Sequence, residues 1–196
     1  MSNHLNFGLV GLGRWGQKYL KTIQNLKGVK LSAVTCRKTQ VNLLKNLDLK
    51  IYYDWKIMLE NPNLDGIIIA TQPEKHYEIS KDFLTKKIPI LVEKPFTTSK
   101  TQTDLLFQIA QKNKTLCCVG YIHLFSSSYL QLKKKIKKLN IPLNIYSQGL
   151  SYGPFRKNTP VLWDWGCHEL SICLDIMGDQ IINVKAKKIK EKKRNK

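Results

Sequence analysis

The sequence predicts an α/β protein built on a doubly wound parallel sheet and followed by a partial α+β unit. Three observations carry that reading. Short β-branched runs alternate with amphipathic stretches from the start of the chain to about Gly120; a glycine-rich turn joins the first run to the first amphipathic stretch; and the alternation breaks down after Gly120.

The strand-like runs are LNFGLV (5–10), VKLSAVT (29–35), DGIIIAT (65–71), IPILV (88–92) and TLCCVG (115–120), each short and bounded by turn residues. Helical stretches are expected between them at about 14–27, 39–47, 54–60, 74–86 and 99–113, with Asp54 and Ser99 as N-caps. Regular strand–helix alternation requires parallel strands covered on both faces. Beyond Gly120 come a lysine-rich helix whose apolar stripe is Tyr129, Leu132, Ile136 and Leu139, a strand-like LNIYSQGLSY, an irregular GPFRKNTP, an apolar helix over about 164–177 and a strand-like QIINVKA. The expected division is 1–121, 122–184 and a solvated basic tail over 185–196.

Composition narrows the function. A chain of 196 residues with 42% hydrophobic content can bury a core, and no apolar run reaches the ~18 residues of a membrane helix. The N-terminus lacks the basic-then-apolar pattern of an export signal, so a cytoplasmic protein is expected. Five cysteines without a CxxC pair fit reduced thiols. The net charge of +19 invites nucleic-acid binding. However, only four of the 33 basic residues are arginine (Arg14, Arg37, Arg156 and Arg194), the side chain whose fork reads phosphates best, and the lysines fall on outer helix faces. No specific nucleic-acid or membrane partner is expected.

The chemistry starts at GLGRWG, where Gly11, Gly13 and Gly16 have the GxGxxG spacing around Arg14 and Trp15. The motif follows a strand and opens a helix, the context in which Gly11 makes a tight turn, Gly13 admits a pyrophosphate and Gly16 packs helix on strand. The helix N-terminus adds N–H donors for phosphate. Where a carboxylate would bind the adenosine ribose, the sequence has Cys36 followed by Arg37 and Lys38. An arginine beside a missing acid suits a 2′-phosphate, so NADP(H) is favoured over NAD(H).

IPILVEKPFTT runs a buried strand straight into Glu93, Lys94 and Pro95. In a doubly wound sheet the carboxyl ends of the strands border the ligand crevice, so Thr71, Gln72, Pro73, Glu93 and Lys94 should flank the cofactor, with His76 one helical turn further on either reaching the crevice or lying on the helix surface. In LWDWGCHELSICLDIMG, Asp164 and His168 are an i, i+4 pair on a segment that Trp163, Trp165, Leu170, Ile172 and Leu174 mark as buried. On a helix the carboxylate could orient the imidazole. Two such ligands are too few for a metal site.

These markers, with VGYIHLFSSSY between them, resemble the Gfo/Idh/MocA oxidoreductases over residues 5 to about 184. The resemblance implies that Lys94 is the catalytic-site lysine, ahead of a cis-proline at Pro95, with Asp164 and His168 as its partners. Oxidising a secondary alcohol needs a base for the hydroxyl proton while hydride leaves carbon, and either Lys94 or His168 could take that proton. The wording of the motifs is similar to members acting on sugars or nucleotide-linked sugars. Members of the family continue through an antiparallel sheet that completes the substrate pocket and oligomer interface, so a C-terminally truncated chain, associating as a homo-oligomer through its C-terminal region, is expected. The alternative is a dinucleotide-binding protein without turnover.

Overall fold

The computed structural model describes residues 4–139, 143–150, 159–178 and 180–187. Six parallel strands form one sheet: β1 (Leu5–Val10), β2 (Val29–Thr35), β3 (Lys50–Tyr52), β4 (Gly66–Ile69), β5 (Ile90–Val92) and β6 (Cys117–Val119), in the order β3-β2-β1-β4-β5-β6. The order reverses between β1 and β4, so the strand ends diverge there and leave a crevice. Helices α1 (Arg14–Gln24), α2 (Trp55–Met58), α3 (Pro73–Thr85) and α4 (Lys100–Lys112) follow β1, β3, β4 and β5. This is the Rossmann arrangement.

Alternation along the central strands builds two cores. Leu9 and Ile68 point to the face covered by α1, packing with Leu20 and Ile23. Val10, Ile67 and Ile69 point to the face covered by α3 and α4, packing with Ile79, Phe83 and Leu106. Burial on both faces is why β4 reads as an unbroken apolar run and why β1 ends in one. Asp54 and Ser99 cap α2 and α4 as expected, accepting from the backbone N–H of Lys56 and Gln102.

Several elements depart from expectation. β3 has only three residues, too few to show a period, and the stretch after β2 is a 3-10 turn over Lys38–Leu44 instead of a helix to 47. After β6, a 3-10 turn (Ile122–Phe125) leads into α5 (Ser127–Ile136) and, later, a π turn (Leu162–Gly166) leads into α6 (Cys167–Met177). Of the proposed α5 stripe Tyr129 is buried, whereas Leu132 and Leu139 are about half exposed. Residues 143–150 and 180–187 carry no strand, because their backbone groups find no ladder partner among the described residues. The remainder of the LNIYSQGLSY and GPFRKNTP readings, and the tail from 188, lie outside the described residues.

Helix α6 is fixed to α5 by a polar staple. Asp175 accepts from the Tyr129 hydroxyl and, at 2.6 Å, from Lys133 Nζ. Lys133 is the main cause holding the Asp175 carboxyl below its usual range. Asp175→Asn should lower stability by about 1 kcal/mol, the scale of a partly exposed hydrogen-bonded pair. Thermal unfolding at neutral pH, where the carboxylate is charged, checks this. The wild-type advantage should fade as pH falls through the depressed pKa.

Candidate active site

The crevice between the carboxyl ends of β1 and β4 is a cleft of about 670 Å³ that reaches the ends of β2 and β5. Its floor is the glycine-rich turn. Gly11 adopts φ +98°, and a Cβ there would lie 2.8 Å from the Ala70 carbonyl oxygen. A Cβ on Gly16 would lie 2.0 Å from the Gly11 oxygen, so only glycine lets α1 seat against the turn. At Gly13 a Cβ would meet nothing within 4 Å. Gly13 is the N-cap of α1 and contributes no side chain, and the first turn holds no acid, so the helix-end N–H groups remain open to an anion. Arg14, Arg37, Lys38, Lys75 and Lys94 add positive charge around the cleft. A glycine cradle, open N–H donors and a cationic rim fit a dinucleotide's pyrophosphate.

At the β2 end, Cys36 is buried, and burial pushes its thiol pKa up, so it offers no carboxylate-like charge. The Arg37 side chain donates through Nε to Gln40 Oε1 at 3.4 Å, and the same oxygen accepts from the Arg37 backbone N–H at 3.2 Å. Gln40 Nε2 in turn donates to the Leu12 carbonyl at 2.7 Å. Gln40 therefore ties this loop to the glycine-rich turn. It escaped the sequence reading because the capping-box signature has Ser or Thr at the N-cap, and Arg37 stands there.

At the opposite end, Thr71, Gln72, Pro73, Glu93 and Lys94 line the cleft where the switch-point rule placed them. His76 does not line it. The side chain is fully buried, with Nδ1 2.8 Å from the Pro95 oxygen and Nε2 3.2 Å from the Thr71 oxygen. Desolvation lowers its pKa, so it is a neutral strut between the ends of β4 and β5, neither a cleft residue nor a surface one.

Lys94 joins this cleft to the C-terminal helix. The Lys94–Pro95 peptide is cis. Lys94 Nζ donates to Asp164 Oδ1 at 3.1 Å and also to the Asp164 carbonyl oxygen, with both side chains largely buried. The expected pairing of Asp164 with His168 is different in detail. Asp164 sits in the π turn, whose i→i+5 winding breaks the α-helical stacking of residues four apart. His168 Nδ1 is buried and has no hydrogen-bond partner among the described residues. Desolvation is the first cause pushing the His168 pKa down to about 4, followed by the positive charge of Lys94 and by His123. The His123 ring stands edge-on to His168, centroids 4.5 Å apart. Asp164 and His168 do not line the dinucleotide cleft themselves, and Lys94 is the link. The segment is less covered than its composition implied: Trp163, Trp165, Leu170 and Leu174 are each more than a third exposed, and His168 is buried.

The family model described as "Oxidoreductase family, NAD-binding Rossmann fold" matches residues 5–121. The chain belongs to the Gfo/Idh/MocA oxidoreductase family. Rhizopine catabolism protein MocA of Rhizobium meliloti is 30% identical over 132 residues, covering 66% of this chain and 41% of the relative. The scyllo-inositol 2-dehydrogenase (NAD(+)) of Bacillus subtilis strain 168 is 25% identical over 195 residues, covering 94% of this chain and 57% of the relative. The crystal structure of GenD2 from gentamicin A biosynthesis in complex with NAD shares the fold at TM-score 0.79 and 17% identity, covering 91% of this chain and 55% of that one. The chain thus spans about half the length of the curated relatives it matches.

The preference for NADP(H) read from Cys36 and Arg37 does not stand. The family is described as NAD-binding, and the B. subtilis relative is named for NAD(+). The Arg37 side chain is turned towards its own loop, donating through Nε to Gln40 Oε1.

Among the described residues, no helix is long and apolar enough to cross a membrane, and no three His, Cys, Asp or Glu side chains are grouped to hold a metal.

Proposed function

We propose that the protein binds NAD(H) in the cleft and moves a hydride between this cofactor and a secondary alcohol of a sugar-like polyol. The observation that carries the reading is Lys94, which borders the dinucleotide cleft on one side and is ion-paired with Asp164 beside His168 on the other. A bound nicotinamide would supply the hydride acceptor. Everything else falls to this chain's residues. Lys94, paired with a carboxylate, is a cation that can donate to the alcohol oxygen and stabilise its developing negative charge. His168, kept neutral by burial and by Lys94, has the free lone pair that a proton acceptor needs. Asp164 holds the Lys94 ammonium in place through two acceptors.

The named relatives that act on inositols support a cyclic polyol or sugar over a linear alcohol. Exposed Val161, Leu162, Ile182 and Val184 support self-association through the C-terminal region.

Fluorescence titration of the full chain with NADH and NADPH, followed by a screen of inositols, sugars and nucleotide sugars, tests the reading. NADH should bind at least as tightly as NADPH, and a cyclic polyol or sugar should reduce NAD. Absence of NADH binding would overturn the proposal.

A further inference from the structure

We propose that Tyr19, on the inner face of α1, is a positioning residue that aims the Glu93 carboxylate at the nicotinamide half of the dinucleotide. The inference rests on the NAD-binding reading above. The Tyr19 hydroxyl donates to Glu93 Oε1 at 2.8 Å, joining residues 74 positions apart. Glu93 is only 6% exposed, yet it forms part of the cleft wall next to Lys94. Its backbone N–H is fixed to the Ile69 carbonyl at 2.9 Å, so the main chain cannot swing.

A buried carboxylate must be compensated, because removing it from water costs several kcal/mol. Tyr19 satisfies one oxygen. Among the described residues Glu93 accepts no other hydrogen bond, which leaves Oε2 as an acceptor in the cleft wall. An anionic acceptor repels phosphate and prefers N–H or O–H donors. The pyrophosphate belongs on the N-terminus of α1 and the adenosine towards β2, so the part reaching β5 is the nicotinamide and its ribose. The carboxamide N–H₂ and the ribose hydroxyls are donors of the required kind.

The site is shaped around this contact. A Cβ on Gly120, which follows β6, would lie 3.3 Å from the Tyr19 hydroxyl and 3.4 Å from Glu93 Oε1. Glycine there leaves both groups their place. Burial, first, and the neighbouring carboxylate both raise the Tyr19 pKa, so the phenol stays protonated and remains a donor at any working pH.

Isothermal titration of the full chain with NADH and with ADP tests the assignment, since ADP lacks the nicotinamide and its ribose. Tyr19→Phe removes only the hydroxyl. It should weaken NADH binding roughly tenfold or more, the scale of one hydrogen bond to a charged group, and leave ADP binding within about twofold. Glu93→Gln should show the same selectivity, and the double variant should lose no more than the larger single loss, as coupled residues do. Should Tyr19→Phe fail to fold, Glu93→Gln decides alone. Equal weakening of NADH and ADP, or no weakening of NADH, overturns the role of Tyr19 and Glu93. Failure of the unaltered chain to bind either ligand overturns the dinucleotide reading itself.

Discussion

Gly16→Ala is expected to abolish measurable NADH binding, with a loss of at least about 100-fold, and to destabilise the fold by roughly 1–3 kcal/mol, the cost of overpacking a tight contact. The added methyl would lie 2.0 Å from the Gly11 oxygen and 2.9 Å from its carbonyl carbon. Both are backbone atoms, and no side-chain rotation relieves the overlap. Either α1 lifts from the sheet or the turn at Gly11 opens. Both movements displace the helix N-terminus that seats the pyrophosphate. Gly13→Ala is the informative contrast. Gly13 has φ −72°, which alanine adopts without strain, and its Cβ would enter open space. Stability should be nearly unchanged, whereas NADH affinity falls because the methyl occupies the cleft. Urea unfolding with NADH titration of both variants separates the two effects. Ordinary NADH affinity in Gly16→Ala would refute the cradle.

The contrast between these glycines shows what the sequence could express. The GxGxxG spacing after an apolar run announces a turn, a close approach and a helix start, because each is a local consequence of missing a Cβ. The strands β4 and β5 were legible for a similar reason, since burial on both faces gives the apolar runs GIII and ILV, and β1 and β2 were marked by their buried carboxyl halves. β3 was not, since three residues cannot display a period and its pairing with β2 is a tertiary fact. The same limit applied at the site. Lys94 stood out because a charged pair ends a core strand, but Tyr19 looked like any aromatic on a helix. Only the sheet order brings α1 beside the end of β5. His76 was misplaced because its partners are the carbonyls of Thr71 and Pro95, and a backbone acceptor leaves no mark in a sequence. Asp164 meets Lys94 as the resemblance implied, whereas the i, i+4 reading that set its carboxylate on His168 missed the π turn over Leu162–Gly166. Local periodicity carries no warning of such a turn.

Replacing Lys94 tests the other end of the cleft, and the expected result has two parts. Lys94→Met should lower turnover with a polyol substrate by at least about 100-fold, as the loss of an acid–base group does, while NADH affinity changes only a few-fold. The second part needs no turnover. Burial is the first cause of the low His168 pKa and Lys94 the second, so removing the ammonium should raise that pKa from about 4 part of the way towards 6.5. Burial and His123 remain, and the full return should not occur. Histidine ring-proton NMR through a pH titration reads the shift directly. It also fixes the sign of the stability change with pH. The unfolded chain binds this proton near 6.5 and the folded chain near 4, so His168 contributes full stability above about pH 6.5. That contribution fades as pH falls through this window and is gone below about 4. In Lys94→Met the window should narrow from its acid side. A separate loss of stability is expected there, because the variant removes the Lys94 ammonium from an ion pair whose side chains are both largely buried. If His168 titrates near 6.5 in the unaltered protein, or if Lys94→Met leaves its pKa where it was, Lys94 and His168 do not share one site. The proposed division of labour, with Lys94 as charge stabiliser and His168 as proton acceptor, would then fail.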